Sequence, residues 1–404
     1  MKALKNWLST FFRSWLRRYR LVFGNVGVMI FFFGLPLAYP LIYTIIYNNE
    51  LCRDIPMVVV DNSRTQASRE LTRMYDASQY VKVVDYAPDL AAAKTMLKER
   101  KAYSILDIPE DYGKKLGRLE VGVFPLYSDM SLLYRYRNLL FATTEIQIQL
   151  GSDVRQNMID NSVLASAAPV LSENSNNVKI EPHFIGDEVQ GFASFVMIGV
   201  LVVILQQSLM LGVFMLSGSS MERRRRNNGI DPLAVGGPSS ALVLGRAMCY
   251  FTIFVPLTIY ALHYVPLMFS LPHVGSTFNY LLFMVPFVLA SAFFAETLRR
   301  LVAESESSML VWVFTSVVIL FISGLTWPRT AMNWLWESLS SLIPATWAID
   351  GYVAINSNDA TLGDVHHQYL MLWLLAAVYF VTAVFVDRRI RRHPGRLMRP
   401  LPMG

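Results

Sequence analysis

Charge is scarce in this chain. Asp, Glu, Lys and Arg make up 16% of its 404 residues, where water-soluble domains usually carry about 25%. Six apolar stretches carry none at all: residues 21–47, 191–217, 247–271, 277–295, 309–327 and 369–386. A carrier coupled to protons or sodium needs ionisable relays inside its spans, so this scarcity argues against one. Cysteine is nearly absent too. Cys52 follows the first stretch and Cys249 lies inside the third, in different compartments, so the pair is not expected to bond. No nucleotide-binding loop is present: Gly113-Lys114 is followed by Lys115 rather than Ser or Thr, and position 108 is isoleucine. Between the first two stretches the only histidine is His183, with no Cys or clustered carboxylate at ligand spacing, so no metal site is expected there. Asp54, Asp61 and Asp76 have no partner histidine for nucleophilic catalysis. No catalytic residue is expected, and neither is enzymatic activity of the chain's own.

Apolar residues, by contrast, make up 53% of the chain. A membrane helix needs about 20 of them in a row, and the six stretches run from 18 to 27 residues. The expected fold is therefore an α-helical polytopic membrane protein with six transmembrane helices. The formal charge of +6 marks topology rather than a nucleic-acid partner. Lys2, Lys5, Arg13, Arg17, Arg18 and Arg20 precede the first span; Arg223 to Arg226 and Arg246 lie between the second and third. Arg299 and Arg300 lie between the fourth and fifth, and Arg388, Arg389, Arg391, Arg392, Arg396 and Arg399 follow the sixth. The opposite loops, 272–276 and 328–368, hold only Arg329. By the positive-inside rule both termini are cytoplasmic and residues 48–190 lie outside, which in a bacterial inner membrane means the periplasm. A 27-residue apolar run followed by Tyr47-Asn48-Asn49-Glu50 does not read as a cleaved signal peptide.

Residues 1–20 form a separate device. Leu4, Trp7, Leu8, Phe11, Phe12, Trp15, Leu16 and Tyr19 recur at spacings of three and four, with Lys5, Arg13, Arg17 and Arg18 on the other face. This predicts a cytoplasmic amphipathic helix lying in the membrane interface, its cations toward anionic lipid. Residues 48–190 predict an inserted extracytoplasmic α/β domain with strands at Ile55–Val60, Val81–Val84, Ala102–Ile108 and Val121–Tyr127. Helices are expected after Asn62, at Asp89–Arg100, from Pro109, and from Leu132 to about Leu171, the last broken only by Pro169. The remaining parts are a five-helix membrane domain (191–386) and a basic cytoplasmic tail (387–404).

Three groups of residues stand out in the membrane half. The first is the loop Met221–Pro238, where four arginines are followed by Asn227-Asn228-Gly229 and a stretch from Ile230 to Val235 that would present one helical turn to a partner. The arginines alone can serve merely to hold the loop inside. The second group is Gln206, Gln207 and His263, polar groups inside spans and so candidates for a transport path. A lone intramembrane histidine more often bonds a neighbouring helix than a ligand. The third runs from Ser323-Gly324 through Pro328 and Pro344 to Tyr352, with Trp327, Trp334, Trp336 and Trp347 interspersed. It fits short helices in the outer interface, or re-entrant ones whose backbone is satisfied by protein.

Together these features resemble a permease subunit of the type-2 ABC transporter family, in the branch with a large outer domain. The likeness rests on Ile55–Arg73 with Ala102–Tyr112, on the Met221–Pro238 loop, and on the signature Ser323-Gly324, Pro328, Ile343-Pro344 and Tyr352. In the loop Glu222, Arg223, Arg224, Gly229 and Pro238 match the family pattern; Asn227-Asn228 and Ile230 depart from its usual Gly-Thr. The resemblance implies a dimer of permeases, identical or paralogous, each coupled through this loop to a cytoplasmic ATPase. That partner would bind ATP and Mg, and no cofactor would be bound by this chain. It also implies export of an apolar or amphipathic substrate, with a periplasmic adaptor and an outer-membrane duct as further partners. The alternative is a non-transporting receptor or scaffold that displays the outer domain.

Overall fold

The computed structural model describes residues 2–47, 52–118, 120–160, 192–271, 273–302 and 304–392. Two compact units divide the chain, one made of residues 1–50 and 184–404, the other of residues 51–183.

Helix α1 (Lys2–Phe23) opens the first unit. It runs past the boundary expected at residue 20 and stops at Gly24-Asn25. There the Asn25 side chain accepts from the Val28 N–H and caps the next helix, α2 (Val26–Tyr47). Within α2 a π turn occupies Ile30–Gly34, just ahead of Pro36 and Pro40, whose missing N–H groups upset the regular ladder. α7 (Phe192–Arg226) carries the four arginines as its own last turn rather than in the following loop. Nothing between Leu216 and Arg226 breaks the helix; Asn228 and Gly229, at φ 47° and 88°, do. α8 (Ser239–Met268) contains Pro256, a π turn at Tyr260–Tyr264, and Pro266. α9 (Thr277–Leu298), α10 (Ser307–Ile322), α11 (Trp334–Ser341), α12 (Pro344–Asn358) and α13 (His366–Arg392) follow.

Among the described residues five helices are long and apolar enough to cross a membrane; α10 is shorter. Sixteen residues at 1.5 Å each give about 24 Å, against roughly 30 Å of hydrocarbon. The stretch expected to run to residue 327 ends early because Ser323 closes it with a bond from its N–H to Ile319 O, and Gly324 takes φ +91°, which a β-carbon would resist. The bundle packs around α7, most of which is buried. Where α7 meets α2, Gly212 lets the helices approach, since a β-carbon there would sit 1.9 Å from the Phe32 ring.

The second unit is a four-stranded sheet in the order β2–β1–β3–β4. Its strands are β1 (Ile55–Asp61), β2 (Val81–Tyr86), β3 (Ser104–Ile108) and β4 (Leu126–Ser128). β1 pairs parallel with β2 and β3, and β4 closes the edge antiparallel. The helices α3 (Gln66–Ala77), α4 (Leu90–Lys98) and α5 (Tyr112–Gly117) lie between them, and α6 (Leu133–Asp160) follows β4. The continuous apolar run of β1 is explained by burial on both faces. Met57 and Val59 pack with Leu71, Tyr75 and Leu139, while Val58 and Val60 pack with Ala93 and Ile105. The fourth strand is shorter and later than expected, beginning after Pro125, whose carbonyl accepts from the Asp107 N–H. Asp89 caps α4 by accepting from Ala92 N–H at 2.7 Å. The end of the helix expected to reach Leu171, with Pro169, lies outside the described residues, as do His183, Arg396 and Arg399.

Candidate functional site

The functional residues of the first unit fall at a Trp-rich end, in a lateral groove, and at an Arg-rich end. At the Trp-rich end, Pro266 on α8 cannot donate to the Leu262 carbonyl. The Tyr352 hydroxyl of α12 donates to it instead at 2.6 Å, deep in the core. Gln206 is used in the same way. Its Oε1 accepts from the Ala345 N–H at 2.7 Å and from Ser291 Oγ at 3.3 Å, so it satisfies an orphan donor in the first turn of α12, behind the buried Pro344. His263 Nδ1 lies 3.0 Å from His273 Nε2, and His273 Nδ1 lies 2.6 Å from Asn356 Oδ1. Backbone N–H groups of Val274 and Gly275 also donate to Asn356 O, so the α8–α9 loop is clipped to α12. Arg329 ion-pairs with Asp350 at 3.1 Å and stacks over buried Trp347. Trp327, Trp334 and Trp336 stay exposed. Ser323, Gly324 and Pro328 end α10 and begin the turn that delivers Arg329.

Of the three intramembrane polar residues, Gln207 lines a cavity. Gln207, 4% exposed, lies in a groove of about 230 Å³ lined by Leu35 and Tyr39 of α2, Val203 of α7, and Trp312 and Leu320 of α10. Neither atom of its carboxamide has a hydrogen-bond partner among the described residues. The Trp312 indole donates to the Gln207 backbone carbonyl at 3.1 Å, which fixes the groove wall. No charged residue among those described lines it. Such a space accepts an apolar body with one hydrogen-bonding group, and an unpartnered buried amide costs roughly 1–3 kcal/mol until something pairs with it.

At the Arg-rich end the loop is folded by Asp231. It takes a bidentate pair from Arg223 (2.9 and 3.2 Å), and bonds from Ser220 Oγ (2.6 Å) and the Leu233 N–H (3.0 Å). Burial alone would raise its pKa, but these donors outweigh it and hold the carboxyl below the ordinary 3.8. In place of the expected helical turn at Ile230–Val235 there is a single turn closed by Ala234 N–H to Asp231 O. Ile230 projects at the tip, 72% exposed. Glu222 accepts from the Ser305 N–H at 2.7 Å, and Arg225 pairs with Glu304. The loop's base is thus tied to the segment between α9 and α10, and Pro238 starts α8.

Beneath the loop lies a network that the sequence reading missed. Arg246 of α8 pairs with Glu296 of α9 (3.0 Å) and Asp387 of α13 (3.0 Å). Arg299 pairs with the same two carboxylates at 3.1 and 2.6 Å. Tyr250 donates to Glu296 at 3.2 Å and accepts from Arg18 of α1 at 2.6 Å. Arg18, expected on the lipid-facing side of the amphipathic helix, is buried; Lys5 and Arg13 remain outside. The available signal was positional: Arg246, Glu296 and Asp387 all sit where apolar stretches end on the same side.

Long apolar helices in a bundle with a lateral groove, and an α/β unit inserted after the first of them, define a multi-pass membrane protein. The chain belongs to the ABC-2 family: the model described as "ABC-2 family transporter protein" matches residues 27–385. It is thereby a permease component of an ABC transporter, of a kind that lacks an ATPase of its own and works with a partner that hydrolyses ATP. Among curated proteins no match to the chain is found.

Proposed function

We propose that this permease is an exporter that moves an apolar or amphipathic molecule out of the cytoplasm or inner membrane. The Gln207 groove is the observation that carries this reading. It combines apolar walls, an absence of charge and one unsatisfied amide, which suits a drug-like or lipid-like substrate more than an ion. A second permease, identical or paralogous, covers the groove: one side of α10 exposes Leu310, Phe314, Val317 and Phe321, and Val317 also lines the groove. α10 serves as the sixth span, made long enough by Ser323–Pro328 and local bilayer thinning. Both termini lie in the cytoplasm, and residues 48–190 lie in the periplasm, where they reach an adaptor and an outer-membrane duct.

Coupling runs through Glu222, Arg223, Arg224, Gly229, Ile230 and Pro238. Ile230 is an exposed apolar tip on a loop braced by Asp231, suited to dock into a groove on the cytoplasmic ATPase, which binds ATP and Mg. Force on the tip passes through Glu222 and Arg225 to the start of α10, one wall of the groove. Gln206 and His263 hold the opposite end together rather than line the path.

Gln207→Trp tests the groove. In cells expressing the permease with its ATPase, accumulation of at least one member of a panel of amphipathic dyes should fall, and the tryptophan variant should restore it at unchanged protein level. No effect across the panel, or equal export by the variant, would remove the assignment.

A further inference from the structure

The Arg-rich end encloses a second cavity, of about 90 Å³, between α1, the end of α7, the loop, and the start of α13's last turns. A single water needs roughly 10–15 Å³ by this measure, so the space holds a group of several heavy atoms. Its walls contain seven arginines against two aspartates, Asp231 and Asp387. Four of those arginines are already committed: Arg223 to Asp231, Arg246 and Arg299 to Glu296 and Asp387, and Arg391 to the Gly237 carbonyl.

The other three form no salt bridge among the described residues, although Arg224 lies within electrostatic reach of Asp231 and Asp387, and Arg18 of Glu296. Among the described residues Arg17 and Arg224 make no hydrogen bond or ion pair through their guanidinium groups, and the Arg224 Nε is cut off from solvent. Arg18 is buried and donates only to the neutral Tyr250 hydroxyl. Arg18 is buried and Arg17 and Arg224 half-buried, and the carboxylates within reach are already shared with Arg223, Arg246 and Arg299. Partly withdrawn cations in such excess over one cavity ask for an anion. Guanidinium forks match phosphate oxygens in geometry as well as charge.

The position narrows the source. Leu4, Leu8, Phe12 and Leu16 form an exposed apolar stripe on α1, while Thr10, Ser14, Arg18 and Val22, each four residues on, face α8. α1 therefore lies with one side in acyl chains and the other over the cavity, at headgroup depth. We propose that this cavity is a binding site for a phosphate ester, taken from an anionic phospholipid headgroup or from a soluble phosphate, and held by Arg17, Arg18 and Arg224. Occupancy seats α1 against the coupling loop. The site is separate from the Gln207 groove and does not depend on transport.

The test uses the full-length protein in detergent and in nanodiscs. Native mass spectrometry should find phosphatidylglycerol retained over phosphatidylcholine, and phosphatidylglycerol nanodiscs should raise the melting temperature. Each of Arg17→Gln and Arg224→Gln should weaken retention about tenfold, since a charge-assisted bond to phosphate is lost; Arg13→Gln, outside the cavity, should not. Displacement of the lipid by millimolar inorganic phosphate or pyrophosphate, with the same thermal shift, would assign the soluble source; no displacement assigns the headgroup. Wild-type protein that retains neither and shifts with neither overturns the site even if a variant misfolds. Equal retention by Arg17→Gln, Arg224→Gln and Arg13→Gln overturns it as well.

Discussion

Two adjacent glutamines have opposite fates, and the difference explains what each can do. Gln206 spends its carbonyl on the first turn of α12 and on Ser291, so its amide holds a helix end. Gln207, one residue and about 100° further round α7, finds nothing to bond. Tyr352 shows the same logic on the structural side. Tyr352→Phe leaves the Leu262 carbonyl buried beside a proline that cannot serve it. It should cost about 1–3 kcal/mol, read as a lower melting temperature in detergent with dye export per folded molecule unchanged. Glu296→Gln acts more severely. Glu296 is wholly buried and pairs with both Arg246 and Arg299, and stripping one charge from such a cluster costs about 3–5 kcal/mol. Measured unfolding should show that loss, with Arg246→Gln/Glu296→Gln together costing less than the two singles summed. Neither pairing could be read from the sequence, because composition within a span shows a polar residue but not the helix end or carbonyl opposite it.

At the scale of elements, irregularity has identifiable causes. Both π turns lie next to prolines, Pro36 and Pro40 in α2 and Pro256 and Pro266 in α8. The Met221–Pro238 loop is folded around one aspartate. Because the bonded Asp231 carboxyl is held below its ordinary pKa, its contribution is complete above that ordinary value and is lost only as pH falls through the lowered one. Tryptic cleavage after Arg225 and Arg226 should therefore show no Asp231-linked step between about pH 6 and 8, whereas Asp231→Asn should speed it several-fold at neutral pH. Element boundaries were the least legible feature of the sequence. Helix α7 runs through the four arginines because charge does not stop a helix, while Gly24-Asn25 and Ser323-Gly324 stop helices inside apolar runs that hydropathy reads as unbroken. Strand β1 was legible because a run of six apolar residues buried on both faces has no helical alternative that short.

For the whole molecule, the layout of apolar stretches carried most of the information. Six apolar stretches and an inserted unit after the first were visible as hydropathy alone; among the described residues five of them are long helices and the one at Ser307–Ile322 is short, and the Ser323–Tyr352 signature pointed to the family that matches residues 27–385. What hydropathy could not supply was the Arg-rich network, since its members looked like span-ending charges rather than partners across four helices. The account makes the chain an energised half of a larger machine, with Glu222 on the path between ATP and the groove. Glu222→Ala should leave insertion and assembly intact while cutting export more than ATP hydrolysis. The most direct measurement is ATP hydrolysis by a Walker-motif ATPase co-purified with this chain from membranes. The account predicts that such an ATPase copurifies and that its activity requires the chain; a chain that purifies without one, with no ATP hydrolysis depending on it, would contradict the proposal at its centre.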